Sequence, residues 1–371
     1  MTLLAPAILP GQASSALQAG QSFLAIVEQY RSGGADAAVE ELSRWDVDRV
    51  EREVTVPPNA GDVKSLAALA LLLTEAGIAN GRFGLPTRAV GLAPRDDWRR
   101  LEEWRKLEWP SGGIENQKDI LLGSAGTNRR VMSLADFDIY SRTALRLIRD
   151  VVRGSRAQAD TALLGVCRSW YIVAGSFVSP YQSNSAHMPL RRAALVDFGD
   201  HPEVLLLVGS YSFGWPARQA TLRRALALDP LLVEARVRLG HQLHVRGDHG
   251  EAARELERAV SDAHAASNIA MEYLGRLLLG RLHEDARRTK EAEACYQAAV
   301  ALSPHWLSAH VALGSLRVAG GDPEGGWAAG RVAMDLGTSP QSDSDPWYQY
   351  TRAQYWQARS RIEAMRMAVR P

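Results

Sequence analysis

Apolar side chains recur at helical spacing along most of this chain. Phe23, Ile26, Val27 and Tyr30 fall at i, i+3, i+4 and i+7, which places them on one face of an α-helix. Ser32-Gly33-Gly34 predicts a turn into a second helix carrying Ala38, Val39 and Leu42. Asp62 stands where it can cap a helix whose Val63, Leu66, Ala67, Ala70 and Leu73 form one stripe, ending before Asn80-Gly81. Further on, Ser133-Leu-Ala-Asp136 has the form of a capping box with Asp in place of Glu, opening a helix with Phe137, Tyr140, Leu145, Ile148 and Val152 at its period. A second helix, 157–177, carries Leu163, Leu164, Cys167, Trp170, Tyr171 and Ala174. The polar stretch Ser179 to Pro189 reads as a loop, and Arg191 to Phe198 as the helix after it. Residues 21–80 and 133–202 thus predict helical hairpins.

Between them, 81–132 is rich in Gly and Pro and predicts an irregular insertion with one short helix from about Asp96 to Glu108. There Trp98, Leu101, Trp104, Leu107 and Trp109 alternate with Arg and Glu. The stripe reads as a buried packing face, with stacking on bases or a peptide as the alternative. Gly123-Ser-Ala-Gly126 lacks the Gly-Lys-Ser/Thr ending of a phosphate loop, so nucleotide binding is not predicted.

A spacing appears in the second half. Leu239-Gly240, Leu279-Gly280 and Leu313-Gly314 are each followed, nineteen residues after the glycine, by Ala259, Ala299 or Ala333. Ala252 and Ala292 lie seven residues before the first two alanines, with Leu256 or Tyr296 between. Small residues at fixed offsets on two consecutive helices predict antiparallel helices packed too closely for larger side chains.

This pattern resembles the tetratricopeptide repeat, a helix-turn-helix unit of about 34 residues. The register gives units 233–266, 273–306 and 307–340, with Leu-Gly at positions seven and eight, preceded by a shortened unit, 203–232, that ends at Pro230. Pro304 takes the place of the family's terminating proline. The repeats are degenerate: Arg236, Arg276 and His310 stand at the tryptophan position, and Leu243, His283 and Arg317 at the tyrosine position. Gly326 and Gly330 weaken the last unit's second helix, because glycine inside a helix costs roughly 1 kcal/mol against alanine. The resemblance implies an all-α fold, a right-handed superhelical solenoid of antiparallel helix hairpins. Residues 341–371 then read as a C-terminal capping helix, with Trp347, Tyr350 and Trp356 covering the glycine-weakened unit.

Composition narrows the function. Forty-three basic and 42 acidic residues leave a formal charge of +1, with no global attraction for nucleic acid. No run approaches eighteen apolar residues, so no membrane span is predicted. Residues 1–20 are leader-like, apolar and then rich in small residues, but lack a basic start and are broken by Pro6 and Pro10. The compartment therefore stays open: cytoplasmic as written, or exported if Met1 is a truncated start and the segment a signal-peptide remnant. Cys167 and Cys295 are far apart and form no Cys-x-x-Cys pair.

Catalytic signatures are sparse. Arg287 stands where a His-Glu-x-x-His motif starting at His283 needs its second histidine, and no Gly-x-Ser-x-Gly elbow occurs. No catalytic residue, cofactor or metal site is assigned. His241 and His244, three apart on a predicted helix, leave one alternative: a repeat-containing enzyme or metal-binding protein with its site there or in 81–132.

The positive expectation comes from the resemblance. Its concave groove is lined by helix A positions two, five, nine and twelve, where a protein or peptide partner of unknown identity would bind without catalysis. In this sequence these are Glu234, Val237, His241 and His244, then Leu274, Leu277, Arg281 and Glu284, then Ser308, Val311, Ser315 and Val318. The implied groove is apolar at its base, with His, Arg and Glu at its upper edge. Val237 and His241 replace the lysine and asparagine of a chaperone-tail clamp, which disfavours that ligand.

Overall fold

A computed structural model describes residues 23–54, 62–80, 83, 139–177, 183–211, 215–337, 345–351 and 358–371. The leader-like segment, the capping box at 133–136, Trp356 and, apart from Phe83, the 81–132 insertion lie outside these residues. Among the described residues all regular structure is helical. The chain divides into two compact units, one mainly N-terminal and one comprising 164–180 and 191–368.

In the N-terminal unit, helix α1 (23–31) turns through Gly33, whose φ of +108° favours glycine, into α2 (Ala35–Ser43). Helix α3 (Val47–Glu53) follows, capped by Asp46. The Asp62 carboxylate accepts the Lys64 amide at 3.0 Å and so starts α4 (Val63–Ala79). Helix α5 (Ile139–Ala157) packs along α4. Its buried Tyr140 shares its hydroxyl proton between the Leu42 and Trp45 carbonyls, adding to the amides that already close the end of α2.

Helices α6 (Thr161–Phe177) and α7 (Ser183–Phe198) come next. Helix α7 begins within the stretch expected to be a loop and carries Pro189 inside it. The Ser-Asn-Ser composition read there as loop sits at the helix's start instead.

The repeat register is visible as helix pairs: α8 (Pro202–Tyr211) with α9 (Trp215–Leu228), α10 (Val233–Val245) with α11 (His249–Ala265), α12 (Ile269–Asp285) with α13 (Thr289–Leu302), and α14 (Leu307–Ala319) with α15 (Pro323–Gly337). Close packing explains the glycines. A Cβ on Gly280 would stand 2.2 Å from the Tyr296 ring, and one on Gly240 2.7 Å from Leu256 Cγ. Gly209 meets Leu222 in the same way, at 2.8 Å, in the shortened unit. In the last unit Gly326 is crowded by Val318 and the Gly314 carbonyl, whereas a Cβ on Gly330 would meet open space.

The turn between paired helices also repeats. Position fifteen of the three full units is Gly247, Arg287 and Gly321, each left-handed, with φ of 88°, 59° and 88°. In each turn the position-fifteen amide bonds to the carbonyl of position twelve, and the next amide to that of position eleven, which satisfies carbonyls left over at the helix end. The six residues between units 233–266 and 273–306 are absorbed by longer helices: α11 and α12 are 17 residues each, against 14 for α13 and 13 for α10.

Position four, where the family has an aromatic, carries a different device. Buried Arg236 donates to the Pro230 carbonyl at 2.7 Å and pairs with Glu255 at 2.9 Å and Asp262 at 3.2 Å. His310 Nε2 lies 3.0 Å from the Pro304 carbonyl. Both tie a helix A back to the proline that precedes it.

Candidate partner-binding face

The helix A residues expected to line a groove fall into two environments. Glu234, Val237, His244 and Leu277 are buried, and His241 and Glu284 are half-buried. Arg281, Val311 and Ser315 are exposed. Val237 and Leu277 belong to the two hydrophobic clusters that join the units, so they are packed core where an apolar floor was expected.

A short helix, α16 (Pro346–Thr351), lies against α12 and reaches the helix A faces of three successive units. Asp345, just before it, and two of its own residues make the contacts. Asp345 is fully buried; its Oδ2 accepts the Ser308 amide at 2.8 Å and its Oδ1 the Trp347 amide at 2.9 Å. It therefore caps α16 and supplies the missing cap of α14, whose own N-cap residue, Trp306, makes no side-chain cap bond. Burial pushes the Asp345 carboxyl above its usual value, against the pull of these amides.

Trp347 packs against both clusters, with the Arg281 guanidinium carbon 5.4 Å from its ring centroid. Tyr350 stacks on Trp347 at 5.7 Å. Its hydroxyl meets His241 Nδ1 at 2.5 Å, and Arg238 stands over its ring at 4.8 Å, within the range of a cation–π contact. Glu234 holds Arg238 in that position through bonds of 2.7 and 3.0 Å.

The charge states follow from burial. Desolvation first, then His244, Arg281 and Arg238, hold His241 down to about 3, so its imidazole is neutral. Burial pushes the Tyr350 hydroxyl up. The arrangement that fits both is a tyrosine O–H donating to Nδ1.

The remaining expected residues serve the fold. His244 Nε2 pairs with Asp285 at 2.8 Å, and Glu284 accepts the Tyr296 hydroxyl at 2.8 Å. That bond fixes the ring that crowds Gly280. His241 and His244 thus turn to different partners, and among the described residues no group of three His, Cys, Asp or Glu is placed to hold a metal. No helix among them is long and apolar enough to cross a membrane. In the third unit Val311 and Val318 remain 50% and 52% exposed.

The cover expected over the last unit is met only in part. Trp347 and Tyr350 lie on α10 and α12, and Trp347 also meets the α14 side of the last unit through the cluster that holds Ala309, Leu313 and Leu316, while that unit's second helix is left uncovered, with Trp327 and Met334 67% and 60% exposed. Asp345, Arg238 and the course of α16 were not foreseen. The one local signal was Asp345-Pro346, a capping acid before a proline at the first helical position.

This array is tetratricopeptide-like. Among solved structures, the chain is similar to PilF of Pseudomonas aeruginosa, at 15% identity over 53% of this chain and 88% of that one, TM-score 0.41. It is also similar to MamA of Desulfovibrio magneticus RS-1, at 18% identity over 53% and 97%, TM-score 0.36. No protein-family model and no curated protein matches the chain.

Proposed function

We propose that this chain is a noncatalytic scaffold that binds a protein or peptide partner on the concave helix A face of units 233–340. One observation carries the reading: that face already seats a short helix, with Ser308, Arg281 and His241 of three successive units each meeting one residue of the helix or its cap. Seating of an amphipathic segment on a row of helices is a recurring recognition mode, in which burial supplies affinity and a few polar groups fix register. The exposed Val311, Ser315 and Val318 extend the same row into the third unit.

The test is affinity purification with quantitative mass spectrometry, comparing wild type with Arg281→Glu and with Val311→Glu/Val318→Glu. The reading expects at least one protein retained by wild type and lost from a variant. Survival of every co-purifying protein in both variants would remove its support.

A further inference from the structure

Resting on that reading, we propose that the face is a recognition site for a helical segment bearing an acid, a tryptophan two residues on and a tyrosine three residues beyond, and that residues 345–350 are its resident, displaceable occupant.

The recognition elements are specific and each comes from a different unit. The first turn of α14 offers the Ser308 amide to a carboxylate, where the helix end attracts negative charge. That anion position is defined by a bound carboxylate. The second element is the apolar surface between the two clusters, edged by Arg281, which takes the indole of Trp347. The third is the pairing of neutral His241 with Arg238, which takes a phenol by its hydroxyl and by its ring face. Two guanidinium groups over two aromatic rings and one amide on one carboxylate select for this chemistry. A lysine-rich or aliphatic segment would offer Arg238 and Arg281 no aromatic face and the amide no carboxylate.

The occupant is built to be exchanged. Helix α16 has six residues, too few to be stable without the surface it lies on. Its hold comes from Asp345, Trp347 and Tyr350, and both aromatic residues are only partly buried. A tethered segment competes with a free one at an effective concentration of the order of millimolar. A partner carrying the same pattern must therefore exceed that competition, which makes the C-terminal segment an inhibitor of the chain's own binding face.

A fluorescein-labelled peptide of residues 344–351 tests this by anisotropy against the full-length chain. The proposal expects Trp347→Ala/Tyr350→Ala, which empties the face, to bind the peptide at least about tenfold more tightly than wild type. Adding Arg281→Glu to that chain, or using a W347A peptide, should abolish the gain. Equal binding by wild type and the emptied chain, or unchanged binding of the W347A peptide, overturns the proposal. If the double variant loses its helical circular dichroism, the comparison is made on Trp347→Ala alone, which empties the indole site and leaves the Asp345 cap in place; loss of folding there too would show the segment to be an integral part of the fold and would likewise overturn displacement. Loss of partners from Val311→Glu/Val318→Glu alongside a failed peptide result would leave the scaffold standing without this occupant.

Discussion

The carboxylate of Asp345 accepts the backbone amide of Ser308 at 2.8 Å across 37 residues of sequence. A helix whose neighbouring cap residue is Trp306 thus receives its cap from the chain's C-terminal segment. The next amide, that of Ala309, bonds to the Tyr273 hydroxyl at 2.8 Å, so the first turn of α14 is satisfied entirely from outside itself.

Asp345→Ala removes the bond to the Ser308 amide that ties this segment to α14 and the bond to the Trp347 amide that caps α16. Loss of a cap costs about 1 kcal/mol, with up to 2 in well-placed cases. Amide hydrogen exchange should show Ser308 and Trp347 losing protection by about tenfold, while Ala309, held by Tyr273, changes less.

Glycine substitutions should split by position. Gly280→Ala drives a methyl into a buried ring whose hydroxyl is fixed by Glu284, and overpacking of this kind costs about 1–3 kcal/mol. Gly330→Ala meets open space on α15 and should gain about 0.5–1 kcal/mol from helix propensity. Denaturant midpoints of the two variants should therefore move in opposite directions.

Arg287 holds a left-handed conformation at φ 59° where the equivalent residues of the other units are Gly247 and Gly321. A non-glycine residue there costs about 1 kcal/mol. Arg287→Gly is expected to raise the unfolding midpoint, and a fall would mean that the Arg287 side chain contributes more than its backbone costs.

Acid should weaken the seating of α16 through His241. Its pKa is about 3 in the folded chain against 6.5 for the free residue. The folded state therefore binds fewer protons below pH 6.5, and the stability concerned is complete above that value and lost as pH falls toward 3. At pH 5 the loss is about 2 kcal/mol. The groups that set this are the burial of the ring, His244, Arg281 and Arg238, with Tyr350 as its bonded partner. Urea unfolding of wild type and His241→Gln at pH 7.5 and pH 5 checks it: wild type should lose about 2 kcal/mol more than the variant, which cannot titrate there.

The legible part of this fold was the part governed by local sterics. Gly280 and Tyr296 lie on consecutive helices, and their close approach leaves a fixed offset in the sequence; the same holds for Gly240 with Leu256. Position fifteen is equally local, but with Arg287 between Gly247 and Gly321 it left no uniform mark and was not read from the sequence. What stayed hidden was long-range. Nothing near Trp347 or Tyr350 in sequence names His241 or Arg281 as neighbours, and an aromatic C-terminal segment is equally compatible with covering the last unit. The six residues between units gave no sign that two helices would lengthen to take them up. Arg236 looked like a departure from the family pattern, yet its guanidinium replaces aromatic packing with a tie to the Pro230 carbonyl.

The seating of α16 on the helix A faces of the repeats is the central claim, and photo-crosslinking tests it most directly. With a benzophenone amino acid at position 347 of the otherwise intact chain, irradiation and peptide mass spectrometry should find intramolecular crosslinks to α12 and the start of α14, around Arg281 and Trp306. Crosslinks confined to α15, 323–337, would contradict the account.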